Sequence, residues 1–324
     1  MVEPMASEPI TLQEAVVYFS NPDNCREYIV PRRWPNGVTC PTCGSVGVTF
    51  QPKHNRWQCS AHHDRRQFTL KTGTIMEDSP IGLDKWLTTM WLVASNRNGV
   101  SSWELHRAIN VTQKTAWFML HRVRLAMQDE LTGGKFGGEV EVDETFIGGK
   151  VRNMHKERKR RVQKEGRNEG AKSIVMGMLE RKGRVRATVI PDRTKATMQP
   201  IVGANVEPGS QIYSDEHGEQ WRMDLYEHDM VNHAVAYVNG NVHTNAMENF
   251  WSILKRTIGG TYVSVEPYHL FRYTDEQAFR FNNCLPTADA DRFSYLVRKI
   301  VGKRLTYAEL TGKTEVGTSQ EEPF

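Results

Sequence analysis

Three cysteines restrict what this chain can fold into more than any other feature. Cys40-Pro-Thr-Cys43 is followed, after fifteen intervening residues, by Cys59, with His62 and His63 close behind. The pattern C-x2-C-x15-C-x2/3-H matches the spacing by which two short knuckles clamp one tetrahedral zinc ion. Spacing alone prefers His62 as the fourth ligand and leaves His63 as the alternative. Between the knuckles, Gly47–Phe50 and Arg56–Gln58 read as short strands, and Thr69–Ile75 as a last strand, so the segment reads as a zinc ribbon. A piece this small and polar needs its metal to fold. Cys25 and Cys284 fall outside the pattern and read as ordinary thiols, and five cysteines so unevenly placed do not form a disulfide framework.

The rest of the chain is long enough for two or three domains with their own cores, at 324 residues with 39% hydrophobic and 25% charged side chains. The first dozen residues lack a basic stretch followed by an apolar one, and no apolar run is long enough to span a bilayer. The expectation is a soluble bacterial protein of the cytoplasm, associated with the nucleoid and with no membrane partner. The net charge of +4 hides a sharp asymmetry. Residues 150–172 carry ten basic against three acidic side chains, and residues 25–75 carry eight against two, so the remainder is net acidic. Positive charge gathered in two segments suits a polyanion.

Beyond the ribbon, Leu83, Leu87, Met90, Trp91 and Ala94 recur at helical spacing and predict a helix over 83–95. Ser101 and Glu104 form a capping-box pair opening a second helix through Ile109. A turn at 110–113 leads to a third, ending near Met127, with Ala116, Trp117, Leu120, Val123 and Met127 inward. Two helices joined by a tight turn resemble a helix-turn-helix, and the second is expected to expose Lys114, His121, Arg122 and Arg124 toward DNA. A plain packed helical pair fits the same pattern.

A glycine-rich joint at 133–138 opens the last domain. Glu139–Ile147 alternates polar and apolar residues as a strand does, with Asp143 in its middle, where a carboxylate is unfavourable on propensity grounds. Gln211–Asp215 is a second β-type run ending on an aspartate, and Glu248 lies on a helix marked by Met247, Phe250, Trp251, Leu254 and Ile258. Two strand carboxylates and one helix carboxylate meet if the strands are neighbours and the helix packs on them. Like charges so gathered repel unless cations lie between them. An all-oxygen site with room for water and phosphate favours magnesium or manganese, and paired ions suit in-line phosphoryl transfer.

These residues stand in strings that resemble the DDE transposases of bacterial insertion sequences with an N-terminal zinc ribbon. The shared strings are Arg33-Trp-Pro-Asn-Gly37, Cys40-Pro-Thr-Cys-Gly-Ser45, Gln67-Phe68, Thr72-Gly-Thr-Ile-Met-Glu-Asp-Ser-Pro80 and Leu83-Asp-Lys-Trp86, followed by Val140-Glu-Val-Asp-Glu-Thr-Phe-Ile-Gly-Gly149, Ser214-Asp-Glu-His217 and His243-Thr-Asn-Ala-Met-Glu-Asn-Phe-Trp251. The resemblance implies a multidomain α+β chain comprising a zinc ribbon, a helix-turn-helix-like region and a ribonuclease H-like α/β catalytic domain with a central mixed sheet. The expected segments are a helical extension (1–24), the ribbon (25–78), the helical DNA-binding region (79–132), the catalytic domain (138–305) with the basic insertion 150–172, and a tail (306–324).

Asp143, Asp215 and Glu248 map to the catalytic acids holding two Mg or Mn ions. Cys40, Cys43, Cys59 and, by comparison with members reading C-x3-H, His63 map to structural zinc. Lys255, seven positions after Glu248, and Arg256 beside it are expected at DNA phosphates. So are Arg158, Lys159, Arg160 and Arg161 of the insertion, which is longer than a hairpin requires and reads as a DNA clamp or a surface loop. The implied activity is two-metal-ion cleavage at insertion-sequence ends, then transfer of the freed 3′-hydroxyl into target DNA. The partners would be terminal inverted repeats and target DNA as double strands, bound by a homodimer or larger assembly. A DNA-binding regulator without catalysis and a ribonuclease H-like nuclease that cuts without joining are the rival classes.

Overall fold

The computed structural model describes residues 7–128, 134–148, 156, 160, 172–181, 183–215, 226–231, 245–284 and 288–313. The chain divides into two compact units: residues 1–95, 102–126 and 289–324 form one, and 96–101 with 127–288 the other. This division differs from the expected catalytic span of 138–305, because the chain after residue 288 packs on the first unit.

In the first unit, α1 (Leu12–Phe19) starts with a complete capping box of Thr11 and Glu14, and α2 (Pro22–Arg33) starts from Asn21 with Pro22 in its first turn. The ribbon follows as an antiparallel sheet, β1 (Val48–Gln51), β2 (Arg56–Cys59) and β3 (Gln67–Phe68). Its small core is aromatic, with Trp57 stacked on Phe68 at 5.9 Å between ring centroids and touched by Trp34 and Phe50. The strand expected at Thr69–Ile75 is corrected to turns. The buried Arg33 guanidinium donates to the carbonyls of Leu70 and Thr72, so these are not available to a ladder, and Gly73 turns the chain at φ +71°.

Helix α3 (Leu83–Ser95) buries Trp86, Leu87, Met90, Trp91 and Ala94, as its periodicity requires. Helices α4 (Ser102–Ile109) and α5 (Gln113–Met127) follow, and the late helices α9 (Asp289–Arg298) and α10 (Tyr307–Thr311) return to the same unit. Phe293 of α9 enters the core beside Phe19, Tyr28 and Trp91, with Trp91 at 4.8 Å between centroids.

The second unit is built on a five-stranded mixed sheet of β4 (Glu139–Ile147), β5 (Ser173–Glu180), β6 (Val185–Ile190), β7 (Gln211–Asp215) and β8 (Glu227–Val231). The strand order is β6-β5-β4-β7-β8. The first three strands pair antiparallel, whereas β7 runs parallel to both β4 and β8.

The period-two alternation of β4 divides its side chains between two cores. Val140 and Val142 join Phe136, Met176, Met178 and Ile212 under α6 (Lys195–Asn205). Ile147, by contrast, belongs to the cluster containing Val175, Leu179 and the apolar stripe of α7 (Asn245–Thr257), and that cluster also includes Leu270 and Ala278 of α8 (Leu270–Asn282). Glu141, Asp143 and Thr145 share the parity of Ile147, so they stand on the α7 face.

One glycine permits this docking. A Cβ placed on Gly177, directly across the ladder from Asp143, would lie 2.3 Å from Met247 Cε and 2.7 Å from the Trp251 ring. Gly177→Ala is expected to lower stability by about 1–3 kcal/mol, as overpacking of a filled core does. A urea-unfolding midpoint shifted to lower concentration checks this.

Candidate functional site

The ribbon brings its ligands together. Sulfur atoms of Cys40, Cys43 and Cys59 and a ring nitrogen of His63 all lie within 4.8 Å of one another, with Cys43 Sγ 3.7 Å from Cys59 Sγ and Cys40 Sγ 3.4 Å from His63 Nε2. Sulfurs at two corners of a zinc tetrahedron stand about 3.7 Å apart, given a Zn–S bond of about 2.3 Å. The donor set therefore fits structural zinc, with His63 rather than the spacing-preferred His62 as its fourth member.

The knuckle is set by Gly44 at φ +73°, whose N–H donates to the Cys40 carbonyl at 2.8 Å. Burial pushes the Cys40 thiol up, but N–H groups of Cys43 and Thr42 outweigh it and bring its pKa down to about 6, while the Cys59 thiol is pushed up, first by burial. Thiols this close do not all ionise without a cation among them, which is the role zinc fills.

In the second unit, Asp143 sits mid-strand and half-buried. Its Oδ1 accepts the N–H of Glu144 at 2.8 Å, and its Oδ2 accepts the indole N–H of Trp251 at 2.9 Å. Two residues earlier on the same face, Glu141 is fully buried, and its Oε2 accepts the backbone N–H groups of Ala246 and Met247 at 3.1 and 3.0 Å. Glu141 thereby satisfies amides that the first turn of α7 cannot bond within the helix.

These two contacts hold α7 to β4 at residues 246–247 and at residue 251. Glu248 lies between them, exposed to solvent. Strand and helix advance by similar lengths over these intervals, about 6–7 Å each, so α7 runs alongside β4 there. Lys255 and Arg256 are exposed near the end of α7.

Asp215 ends β7, whose paired register with β4 runs Glu139↔Gln211, Val140↔Ile212 and Glu141↔Tyr213. Extending that register by two residues sets Asp215 level with Asp143. The Asp215 side chain lies outside the described residues, as do Arg158, Lys159 and Arg161, whereas Arg160 is described and exposed.

The expected exposure of α5 is corrected. Lys114 is exposed and lies over the Tyr307 ring at 4.5 Å, but His121, Arg122 and Arg124 are buried. Arg122 donates to the Leu305 carbonyl at 3.0 Å and the Glu77 carbonyl at 2.8 Å, so it joins segments within the first unit. For Arg122 the helical spacing misled because the chain at Leu305 lies against it. Glu141, Gly177, Trp251 and Arg181 were missed from sequence. No local signal marked Glu141, which falls on the polar side of the alternation of β4.

The chain matches the model of the ISXO2-like transposase domain over residues 135–282 and that of the transposase zinc-ribbon domain over residues 20–64. It is 30% identical over 104 residues to an uncharacterized transposase-like protein of Haemophilus influenzae, covering 32% of this chain and 84% of the relative. The chain belongs to the ISXO2-like transposase family. A second relative, an uncharacterized protein in transposable element ISH50 of Halobacterium salinarum, is 26% identical to this transposase over 235 residues, 69% of this chain and 79% of the relative. No solved structure matches it significantly. No helix among the described residues of the transposase is long and apolar enough to cross a membrane.

Zinc content checks the ribbon assignment. His63→Ala and Cys59→Ser are expected to lose the metal, and His62→Ala to keep about one zinc per chain, the stoichiometry of a single structural site.

Proposed function

We propose that this transposase cleaves DNA at insertion-sequence ends and joins the freed 3′-hydroxyl to target DNA, with Asp143, Asp215 and Glu248 holding two magnesium or manganese ions. The observation that carries this reading is the double attachment of α7 to β4, which keeps exposed Glu248 beside the strand of half-buried Asp143. The register that sets Asp215 level with Asp143 supports it further. We read the second unit as ribonuclease H-like on its strand order, its single switch from antiparallel to parallel pairing, and its helices on both faces.

Carboxylate oxygens are the donors that magnesium and manganese prefer, and those ions supply charge stabilisation to the attacking and leaving oxygens of a phosphodiester. The protein's own part is to fix the donors. The bonds from Glu144 and Trp251 fix the orientation of the Asp143 carboxylate, which would bridge or position the ions. Asp215 would hold the second side of the pair from the neighbouring strand, and Glu248 would complete the donor set from α7. In the first step a water oxygen bonds to phosphorus as the 3′-oxygen leaves and takes up a proton. In the second, that 3′-hydroxyl attacks a target phosphodiester and releases a target 3′-hydroxyl in turn.

The ribbon and Lys114 contact terminal repeats, Lys255 and Arg256 hold phosphates, and the insertion around Arg158, Lys159, Arg160 and Arg161 clamps the backbone. Two or more copies bring two ends together.

Asp143→Asn and Glu248→Gln are each expected to abolish magnesium-dependent end cleavage while end binding stays near the native affinity. Gel assays of cleavage and of binding on labelled ends measure both, and full cleavage by either variant overturns the assignment. Pre-cut ends incubated with a plasmid separate a transposase, which yields joined products, from a nuclease, which does not.

A further inference from the structure

Glu141 is placed where a carboxylate is costly. It is fully buried, and a well-packed apolar residue in such a place is often no less stable. What the carboxylate adds is direction. One oxygen receives two amides at the positive end of α7, and the other receives Arg181 Nε at 3.2 Å.

Arg181 extends the connection. Its Nη1 donates to Glu139 Oε1 at 3.1 Å, its backbone N–H donates to the Glu139 carbonyl at 2.9 Å, and its guanidinium lies 3.9 Å from the centre of the Tyr213 ring. Tyr213, two residues before Asp215, donates its hydroxyl to the same Glu139 oxygen at 2.7 Å. One connected set of charged hydrogen bonds thus joins β4, β7 and α7, the elements that carry Asp143, Asp215 and Glu248.

We infer that Glu141 is a positioning residue of the transposase, which with Arg181 docks the start of α7 on β4 and so sets Glu248 at the cation site. This inference rests on the proposed function for the identity of that site, but the dock itself does not. An apolar residue at 141 would bury as well yet take away the acceptor of two helix amides and of Arg181 Nε, so the first turn would no longer be directed to β4. The helix would remain on the sheet through Phe250, Trp251 and Leu254, with its first turn, where Glu248 stands, no longer registered.

Two measurements on the full chain test this. Hydrogen exchange reads the dock directly, and Mn2+ binding followed by electron paramagnetic resonance reads its consequence without any turnover. In Glu141→Ala, the amides of Ala246 and Met247 are expected to exchange faster while those of Trp251 to Leu254 keep their protection. Mn2+ affinity is expected to fall about ten-fold, the lower end of what loss of a residue behind a metal ligand costs. Glu141→Gln, which keeps an acceptor oxygen but not the charge toward Arg181, is expected between the two and guards against failure of the alanine variant to fold.

Unchanged exchange at Ala246 and Met247 would overturn the dock. Faster exchange with Mn2+ affinity within two-fold of native would overturn the positioning role, leaving Glu141 as a helix cap alone. Asp143→Asn separates the two readings, because it should abolish Mn2+ binding with the exchange of Ala246 and Met247 unaltered. If that variant binds Mn2+ as the native chain does, the assignment of Asp143 falls, and the exchange of Glu141→Ala still decides the dock.

Discussion

Helix α7 lies so close to the central sheet that no side chain fits beneath it at Gly177, and much of the second unit follows from that approach. Close packing at one point would still let a helix pivot. The indole of Trp251 reaching Asp143 and the amides of Ala246 and Met247 reaching Glu141 remove that freedom, since all three bonds have fixed partners and directions. The carboxylate of Asp143 is thereby held half-buried in the middle of a strand, a place where propensity alone would not put it. Glu248, between the two attachments, is left in solvent and available.

The first unit depends on a different constraint. Its ribbon has only three short strands and a handful of aromatic rings, too little apolar surface to hold a sheet without help. Cys40, Cys43, Cys59 and His63 supply that help at one point, and the aromatic cluster of Trp34, Phe50, Trp57 and Phe68 continues the packing toward the end of α2. Arg33 then ties the strand-free turns after β3 to the same helix through two carbonyls.

Elements whose periodicity is strong were legible from sequence. The helices at 83–95 and 113–127 and the strands carrying Asp143 and Asp215 fall where their patterns place them. What escaped is what depends on distant partners. Arg122 sits on the polar side of a helical pattern, yet chain nearly two hundred residues later meets it, and no local rule reports that. Thr69–Ile75 has the composition of a strand but loses its carbonyls to an arginine from α2. Glu141 read as an ordinary alternating position, because the helix it caps lies more than a hundred residues further on. The choice of His63 over His62 came from family resemblance, since spacing pointed to the other ring.

In the proposed function Asp143, Asp215 and Glu248 share divalent cations. Crystals of the transposase with a cleaved element end and Mn2+, measured at a wavelength where manganese scatters anomalously, test it most directly. The account predicts two anomalous peaks bridged by Asp143, with oxygens of Asp215 and Glu248 at about 2.0–2.2 Å, the range of hard-cation carboxylate bonds. Peaks away from these three carboxylates, or a bound end with no manganese beside Asp143, would contradict it.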